Sequence, residues 1–319
     1  MNNDTKPAAS ASVKASDAFH RLSEAQSGRG PKAISTGFPS LDYGIVGIMP
    51  SNVIVIGGRP GHGKTALASN ITESVIRQGH TVLTFSMEMS ADELLRRRAS
   101  ALSGIPMDRL MRPQDLTKVE LDLLKPHYSF DSKLWYIDDE SYRTIDDIID
   151  VTMATRALAD KTGLPLKMVV VDHVGLISGG NGQPDGRRLL IGEASRRLKV
   201  LSGRTGVGVL LLTQLNRNAA TRGGKKGGDM RPVQTDIQEC DNLSHDASVI
   251  LFVHQPFQYF SESPTNEAEI IVAKNRNGSK LGAIKMGWDG AKTRFVDYRV
   301  PALRVVRGDT KHSVGGEEF

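Results

Sequence analysis

The amino-acid sequence predicts an α/β fold: a mostly parallel central sheet with helices on both faces and antiparallel strands at one edge. Three observations lead to this prediction. Between about residues 34 and 295, short apolar runs alternate with segments of helical periodicity, as in consecutive βαβ units. Runs such as MVVV and VGVLLL are apolar throughout, which is typical of strands covered on both faces. The last apolar runs are joined by short turns, which favours antiparallel pairing at an edge.

Eight strands and five longer helices are predicted within this region. The predicted strands span residues 52–56, 81–85, 134–137, 168–171, 207–212, 249–253, 268–273 and 282–286. The predicted helices span residues 64–77, 91–102, 117–128, 144–161 and 187–202. Two of these helices begin with the sequence of a capping box, from Ser90 to Glu93 and from Thr144 to Asp147, which places their first turns.

The predicted domain, residues 34–298, lies between segments of different composition. Residues 1–13 are small and polar and are predicted to be a disordered tail, and residues 299–319 a flexible tail. Residues 14–33 are predicted to be a linker helix and a linker, because Phe19 and Leu22 recur at helical spacing before a glycine- and proline-containing stretch. This helix could pack on its own domain or on a neighbouring subunit, and the sequence leaves both alternatives open.

The composition excludes several classes of protein. Of the 319 residues, 39% are hydrophobic, which suffices for a buried core, but no run approaches the roughly 18 apolar residues of a membrane span. The first residues lack the apolar region of a secretory signal, so a cytoplasmic protein without a membrane partner is expected. Cys240 is the only cysteine, and the eight histidines show no metal-ligand spacing, so no histidine ligand is expected. The net charge of +5 permits a nucleic-acid partner without establishing one.

The strongest motif is the segment GRPGHGKT, residues 58–65, which matches G-x-x-x-x-G-K-[ST] between an apolar run and a helical segment. Its glycines let backbone amides close around phosphate oxygens, and the helix start adds partial positive charge. Lys64 is expected at the β- and γ-phosphates and the Thr65 hydroxyl at Mg²⁺. ATP and Mg²⁺ are therefore the expected ligands, and the predicted nucleotide-binding residues are Gly58, Arg59, Pro60, Gly61, His62, Gly63, Lys64, Thr65 and Ala66.

Three further polar residues stand where predicted strands end. Asp172 follows MVVV and is predicted to be the second Mg²⁺ ligand, a Walker-B acid. Glu88 follows the second strand and could polarise the attacking water, and Gln214 follows VGVLLL and could sense the γ-phosphate. All three leave the carboxyl edge of the sheet, where open α/β sheets bind ligands. Each position is also an ordinary one for a turn or cap residue, which remains the alternative.

Six segments, taken together, resemble the motor domain of DnaB-type helicases, in the family's order. The resemblance covers roughly residues 15–297, and SMEM and KNRNG are its most specific parts. It implies a RecA-like P-loop NTPase fold and a homo-hexamer around single-stranded DNA, with ATP between neighbours, which unwinds duplex DNA at replication forks. By this resemblance Glu88 is the catalytic glutamate, Asp172 the Walker-B acid and Gln214 the γ-phosphate sensor, while Lys274 and Arg276 reach the neighbour's ATP as an arginine finger. The six segments are STGFPSLD, GRPGHGKTALA, FSMEMSADEL, VVDH, LTQLNR and IVAKNRNG.

Residues 231–248 resemble the central DNA-contacting loop of the family. Two departures are present: many relatives have arginine where Gln238 stands and tyrosine where His173 stands. The first departure removes one expected DNA contact, which basic residues in the preceding glycine-rich stretch could replace. A flexible solvated loop is the alternative interpretation of that stretch. The predicted DNA-binding residues are Arg217, Arg222, Lys225, Lys226, Arg231, Gln238 and Glu239.

Most members of this family also carry a helical N-terminal domain that engages primase, whereas only about thirty residues precede the motor domain here. This resembles phage helicases that work beside a separate primase, so a separate primase or helicase loader is an expected partner, in the host cytoplasm if the protein is phage-encoded. Three other functions compete with the helicase: a RecA- or KaiC-like ATPase acting in recombination or regulation without unwinding, a small-molecule kinase, and a nucleotide-bound scaffold. KNRNG and SMEM favour the helicase, and the presence of Lys64, Glu88 and Asp172 argues against a scaffold.

Overall fold

The structure is a computed structural model and describes residues 15–27, 32–129, 133–179, 184–216, 230–237, 241–278 and 282–298. Nine strands of these residues form one sheet. The strands are β1 (Val53–Gly58), β2 (Thr81–Ser86), β3 (Trp135–Asp138), β4 (Leu166–Asp172), β5 (Gly208–Gln214), β6 (Val249–His254), β7 (Glu267–Asn275), β8 (Gly282–Asp289) and β9 (Arg294–Val296). Their order is β3-β2-β4-β5-β1-β6-β7-β8-β9.

The first six strands in this order pair in parallel, and β7, β8 and β9 are added in antiparallel fashion. Short connections suffice for the antiparallel strands, whereas each parallel pair needs a crossover. The predicted fold class, a mostly parallel sheet with antiparallel strands at one edge, is therefore confirmed.

Helices cover both faces of the sheet. Successive residues of β1 point to opposite faces: Ile54 and Ile56 join the core under α3, and Val53 and Val55 join the core under α7 and α8. This two-sided burial explains why the central strands are apolar throughout. The helices are α1 (Ala15–Gln26), α2 (Pro39–Ile45), α3 (Lys64–Arg77), α4 (Ala91–Ser103), α5 (Met107–Leu110), α6 (Lys118–Tyr128), α7 (Ile145–Thr162), α8 (Pro184–Thr205) and α9 (Asp241–Asp246).

Some predicted details are corrected. The short elements α2, α5, α9 and β9 were not predicted, because three to seven residues do not complete a recognisable hydrophobic period. The capping box at Thr144 is present, and another is present at Thr117. At Ser90 the hydroxyl accepts a hydrogen bond from the Glu93 N–H. The second hydrogen bond of a capping box, from the Ser90 N–H to the Glu93 carboxylate, is not found among the described residues. Lys274 lies within β7, one residue before its end.

The predicted N-terminal helix is present as α1. Its apolar residues Phe19 and Leu22 are 72% and 68% exposed, so they do not pack into the core of the domain. Of the two alternatives for this helix, docking on a neighbouring subunit is the one that would bury these side chains. The predicted tails, 1–13 and 299–319, lie outside the described residues, so the domain limits stay predictions. Among the helices that the structure describes, none combines the length and apolarity needed to cross a bilayer.

Candidate nucleotide site

The loop between β1 and α3 is built to leave its backbone accessible. Gly61 and Gly63 have φ angles of 79° and 90°, in the left-handed region that glycine adopts without strain. A Cβ on Gly63 would also lie 3.1 Å from the Phe295 ring, and a Cβ on Gly58 would lie 2.7 Å from Cγ of Lys64. Lys64, the first residue of α3, is buried against this loop. This cradle fits a phosphate group, because backbone amides and a helix start meet there.

The neighbouring strands bring the other predicted residues to the same edge. In the order β2-β4-β5-β1, Gln214 pairs with Gly58, and Asp172 pairs with Ser86. The Met87 N–H donates to the Asp172 carbonyl at 2.9 Å, which holds the start of the Glu88 segment beside β4. The structure therefore brings Lys64, Glu88, Asp172 and Gln214 together, as the positions at strand ends predict.

Asp172 and Thr65 form the part of the site that suits a divalent cation. The Thr65 hydroxyl donates to Oδ2 of Asp172 at 2.7 Å. Asp172 is only 3% exposed, and its Oδ1 has no hydrogen-bond partner within the described part of the chain. Burial raises the pKa of this carboxyl, against the Thr65 hydrogen bond and the charge of Lys64. A bound cation would stabilise the ionised form, and a carboxylate with a hydroxyl is the oxygen-donor set that Mg²⁺ uses.

The Glu88 side chain lies close to His173, a contact that is not predicted from the sequence. The Glu88 side chain is 53% exposed, and its Oε2 lies 3.3 Å from Nδ1 of the buried His173 imidazole. The peptide bond between Asp172 and His173 is cis. One ligand atom each from Glu88, Asp172 and His173 lie within 4.8 Å of one another. No histidine is predicted as a metal ligand. The closeness of His173 to Glu88 is not visible in the sequence, because the two residues follow different strands.

Lys274 and Arg276 lie at the other end of the parallel strands, beside the amino end of β6. The Arg276 N–H donates to the Ser248 carbonyl at 2.8 Å, just before β6 begins, and Asn275 pairs with Val249. The nucleotide edge is instead reached at Val253, which pairs with Gly58. Four residues of β6 separate the two levels, which is about 13 Å along the strand. The two basic residues are therefore not part of the nucleotide site of their own chain.

Three cations cluster at this end of the strands, and we call them the basic cluster: Lys199, Lys274 and Arg276. Lys274 donates to the carbonyls of Ser244 and His245 and Arg276 to that of His245, in the last turn of α9, where the helix dipole is negative. Burial lowers the pKa of Lys199 and of Lys274, and repulsion from Arg276 lowers both further. A cluster of this kind attracts an anion. Lys199, which lies in the C-terminal third of α8, is not among the predicted site residues.

Arg231, one of the predicted DNA-binding residues, forms an ion pair with a residue of the sheet. Its Nε and Nη2 donate to the two carboxylate oxygens of Glu269 on β7, both at 2.7 Å. This hydrogen bonding lowers the pKa of the buried Glu269 carboxyl. The sequence could not reveal this pairing, because the two residues are far apart in the chain. The other predicted DNA-binding residues, Arg217, Arg222, Lys225, Lys226, Gln238 and Glu239, lie outside the described residues.

A second group of residues lies beside the phosphate-binding loop; we call His62, His254 and Tyr259 the histidine–tyrosine cluster. His62 is one of the predicted nucleotide-binding residues, whereas His254 and Tyr259 are not among the predicted site residues. The Tyr259 hydroxyl lies 3.3 Å from Nε2 of His62, and the Tyr259 ring stacks on His254 with centroids 5.6 Å apart. Burial lowers the pKa of His62 to about 4, with contributions from His254 and Arg59, so His62 is neutral at pH 7. The Arg59 guanidinium lies 5.4 Å from the Tyr259 ring centroid. His62 is predicted to bind nucleotide because it lies within the P-loop segment, but the P-loop pattern leaves position 62 unspecified and gives no signal for its contacts with His254 and Tyr259.

Comparison with solved structures agrees with this fold. One solved ATPase domain superposes with a TM-score of 0.79 at 25% identity, over 90% of this chain and 99% of that chain. A DnaB-like replicative helicase, solved in a study of its interactions with primase, superposes with a TM-score of 0.77 at 25% identity, over 90% of this chain and 67% of that one.

Comparison of sequences identifies the family. The chain is 32% identical over 286 residues to the replicative DNA helicase DnaB of Pasteurella multocida, covering 88% of this chain and 59% of the relative. It is 33% identical over 270 residues to the same helicase of Geobacillus stearothermophilus, covering 83% and 56%. The chain thus spans under two thirds of the length of these relatives. The profile of the family described as the DnaB-like helicase C terminal domain matches residues 33–297. The chain therefore belongs to the DnaB-like helicase C-terminal domain family.

Proposed function

We propose that this chain is an ATP-dependent replicative DNA helicase, a homo-hexameric ring that translocates on single-stranded DNA and unwinds duplex DNA at replication forks. One observation supports the proposal: the four residues predicted to act in ATP hydrolysis lie together at the carboxyl ends of the parallel strands, whereas the predicted arginine finger lies near their amino ends. The relatives of this chain are replicative DNA helicases. Because the chain matches only part of their length, their activity is transferred here as a proposal.

The proposed chemistry is phosphoryl transfer to water. The backbone of the phosphate-binding loop and Lys64 bind the phosphates, and Thr65 and Asp172 hold Mg²⁺. When bound, Mg²⁺ neutralises charge on the β- and γ-phosphate oxygens. The Glu88 carboxylate accepts a proton from the attacking water, for which its exposed position at the open edge is suitable. The Gln214 amide, beside Gly58, donates to the γ-phosphate and thereby senses it.

The basic cluster supports completion of each site by a neighbouring subunit. Arg276 cannot reach the nucleotide of its own chain across the sheet. Repulsion from Arg276 contributes, after burial, to the lowered pKa of Lys199 and of Lys274, and an anion bound beside the three cations would relieve this repulsion. The γ-phosphate of a neighbour's ATP is an anion of this kind, and the planar, permanently charged guanidinium of Arg276 suits its developing charge.

DNA binding is proposed to depend on Lys225 and Lys226. Changing both to glutamine is expected to weaken binding to single-stranded DNA of any sequence. It should also reduce the slope of log K against log salt by about 1.4, because each lost phosphate contact releases about 0.7 fewer counterions. Lys285→Gln is the control, because Lys285 is an exposed cation on β8. An unchanged affinity and an unchanged slope in the double variant would show that these two lysines do not contact DNA.

The proposed function is tested by strand separation on a forked DNA with the purified protein, ATP and Mg²⁺, together with the number of subunits measured in the same buffer. We expect unwinding by an assembly of six subunits and none by Lys64→Ala. DNA-stimulated hydrolysis without strand separation would instead favour the RecA- or KaiC-like alternative. A separate primase or helicase loader is the proposed partner. Addition of a primase to the same assay tests for that partner.

A further inference from the structure

The segment 230–237 lies between the two parts of the chain proposed to bind DNA, and it is attached to the sheet at several points. The Gln234 side-chain amide donates to the Ala273 carbonyl at 2.6 Å. The Asn216 N–H donates to the Asp236 carbonyl at 2.7 Å, and Ile237 forms a β-bridge with Leu215. The Arg231–Glu269 pair adds a further attachment, to β7. The position of this segment is therefore tied to β5 and β7.

The Glu269 end of the pair continues into the histidine–tyrosine cluster. Glu269 on β7 is the cross-strand partner of His254 on β6, and both side chains are buried. His254 stacks on Tyr259, and Tyr259 contacts His62 within the phosphate-binding loop and Arg59 at its start. Met230 and Pro232, which flank Arg231, line the same small pocket as Arg59 and His62. Contiguous side chains thus connect the segment 230–237 with the loop that holds the phosphates.

We propose that Arg231 is a positioning residue that, through Glu269 and the histidine–tyrosine cluster, couples the segment 230–237 to the phosphate-binding loop. Through this coupling, DNA binding next to the segment 230–237 changes ATP hydrolysis at the phosphate-binding loop. Nucleotide binding at the loop in turn changes the segment. The DNA part of the inference rests on the proposed function. The link between the phosphate-binding loop and the segment does not, because both ends of this chain of contacts are in the structure.

The chemistry of the contacts suits this role. A bidentate arginine–carboxylate pair fixes the relative orientation of its two partners as well as their distance. Glu269 is buried, so separating it from Arg231 would leave an unpaired buried charge. Because this separation is costly, a displacement of one side chain displaces the other. The aromatic rings of the cluster are rigid and packed. A shift of Arg59 or His62 on phosphate binding therefore displaces Tyr259 and His254 in turn.

Linkage supplies the test that does not need DNA. If the phosphate-binding loop and the segment 230–237 are coupled, the coupling free energy is the same in both directions. Nucleotide binding must therefore change the conformational equilibrium of the segment. We expect a slowly hydrolysed ATP analogue to alter amide hydrogen exchange at 230–237 in the full chain. The alteration should fall about 2- to 30-fold in Arg231→Gln and in Tyr259→Phe. The control Lys118→Gln, which removes an exposed cation at the start of α6, should retain it.

A second variant guards against simple destabilisation. Arg231→Gln alone leaves the buried Glu269 carboxylate unpaired, whereas the double variant Arg231→Gln with Glu269→Gln does not. We expect the double variant to regain thermal stability but to lose the exchange response as the single variant does. Recovery of the exchange response together with stability would overturn the inference. Absence of any response to the analogue in the wild-type chain would overturn it as well.

The DNA measurements separate this inference from the proposed function. In Arg231→Gln the affinity for single-stranded DNA and its salt slope should stay within about 2-fold of wild type, because the guanidinium is not a phosphate contact. Stimulation of ATP hydrolysis by saturating DNA should fall about 2- to 30-fold. A salt slope lowered by about 0.7 with full stimulation would make Arg231 a DNA contact and overturn the inference. A wild-type chain without DNA stimulation, but with the exchange response lost in the variants, would refute the helicase and retain the link.

Discussion

Arg276→Ala is expected to lower ATP hydrolysis by at least about 10³-fold, the lower end of the effect of arginine fingers in GTPases. ATP binding should be retained, because Arg276 lies at the edge of the sheet opposite its own nucleotide site. The measurements are steady-state turnover and equilibrium binding of a fluorescent nucleotide. Arg112→Ala, at an exposed arginine between α5 and α6, is the control and should turn over at the wild-type rate.

Mixing tests whether the arginine acts on a neighbour. Arg276→Ala and Glu88→Gln should each be inactive alone, yet a mixed assembly contains interfaces that pair an intact Glu88 with an intact Arg276. Activity should therefore reappear at intermediate mixing ratios. No recovery, despite demonstrated subunit exchange, would contradict a site completed by the neighbour. Hydrolysis by a dilute monomer at the assembled rate would contradict it and the helicase proposal together.

Glu88→Gln is expected to reduce turnover by at least about 10²-fold while nucleotide binding is preserved, because the amide keeps the shape of the side chain but cannot accept the proton of the attacking water. Lys64→Ala should instead weaken nucleotide binding itself. Glu93→Gln is the matched control, since Glu93 is a partly exposed glutamate in the first turn of α4, five residues away. Turnover near the wild-type rate in Glu88→Gln would move the role of the base to another residue, with Asp172 the next candidate.

Much of the fold and the nucleotide edge could be predicted because the relevant signals are local. A buried parallel strand is apolar throughout, and its carboxyl end carries the polar residue that faces a ligand, so Asp172 and Gln214 are visible in the sequence. The phosphate-binding loop is a contiguous motif with its strand and helix attached. The placement of Lys274 and Arg276 at a late antiparallel strand follows from the same reading, although their roles came from the family resemblance.

The contacts that could not be predicted join residues distant in sequence. The sequence shows Arg231 only as one of several basic residues near a loop, whereas the folded chain places it beside Glu269 of β7. His62 occupies an unspecified position of a motif. Its neighbour His254 is the last residue of β6, and Tyr259 lies in the segment that follows β6. His173 meets Glu88 because β2 and β4 are adjacent in the sheet, an order that spacing along the chain does not determine.

The two opposite edges of the sheet also constrain symmetry. A subunit that binds ATP at one edge and offers Arg276 from the other must contact two neighbours through different surfaces, so its contacts are heterologous rather than two-fold. A symmetric dimer could not complete both sites. An open row of subunits would always leave one terminal nucleotide without an arginine. Only closure gives every nucleotide its partner, so under the proposed function hydrolysis per subunit should rise when the last gap in the ring closes.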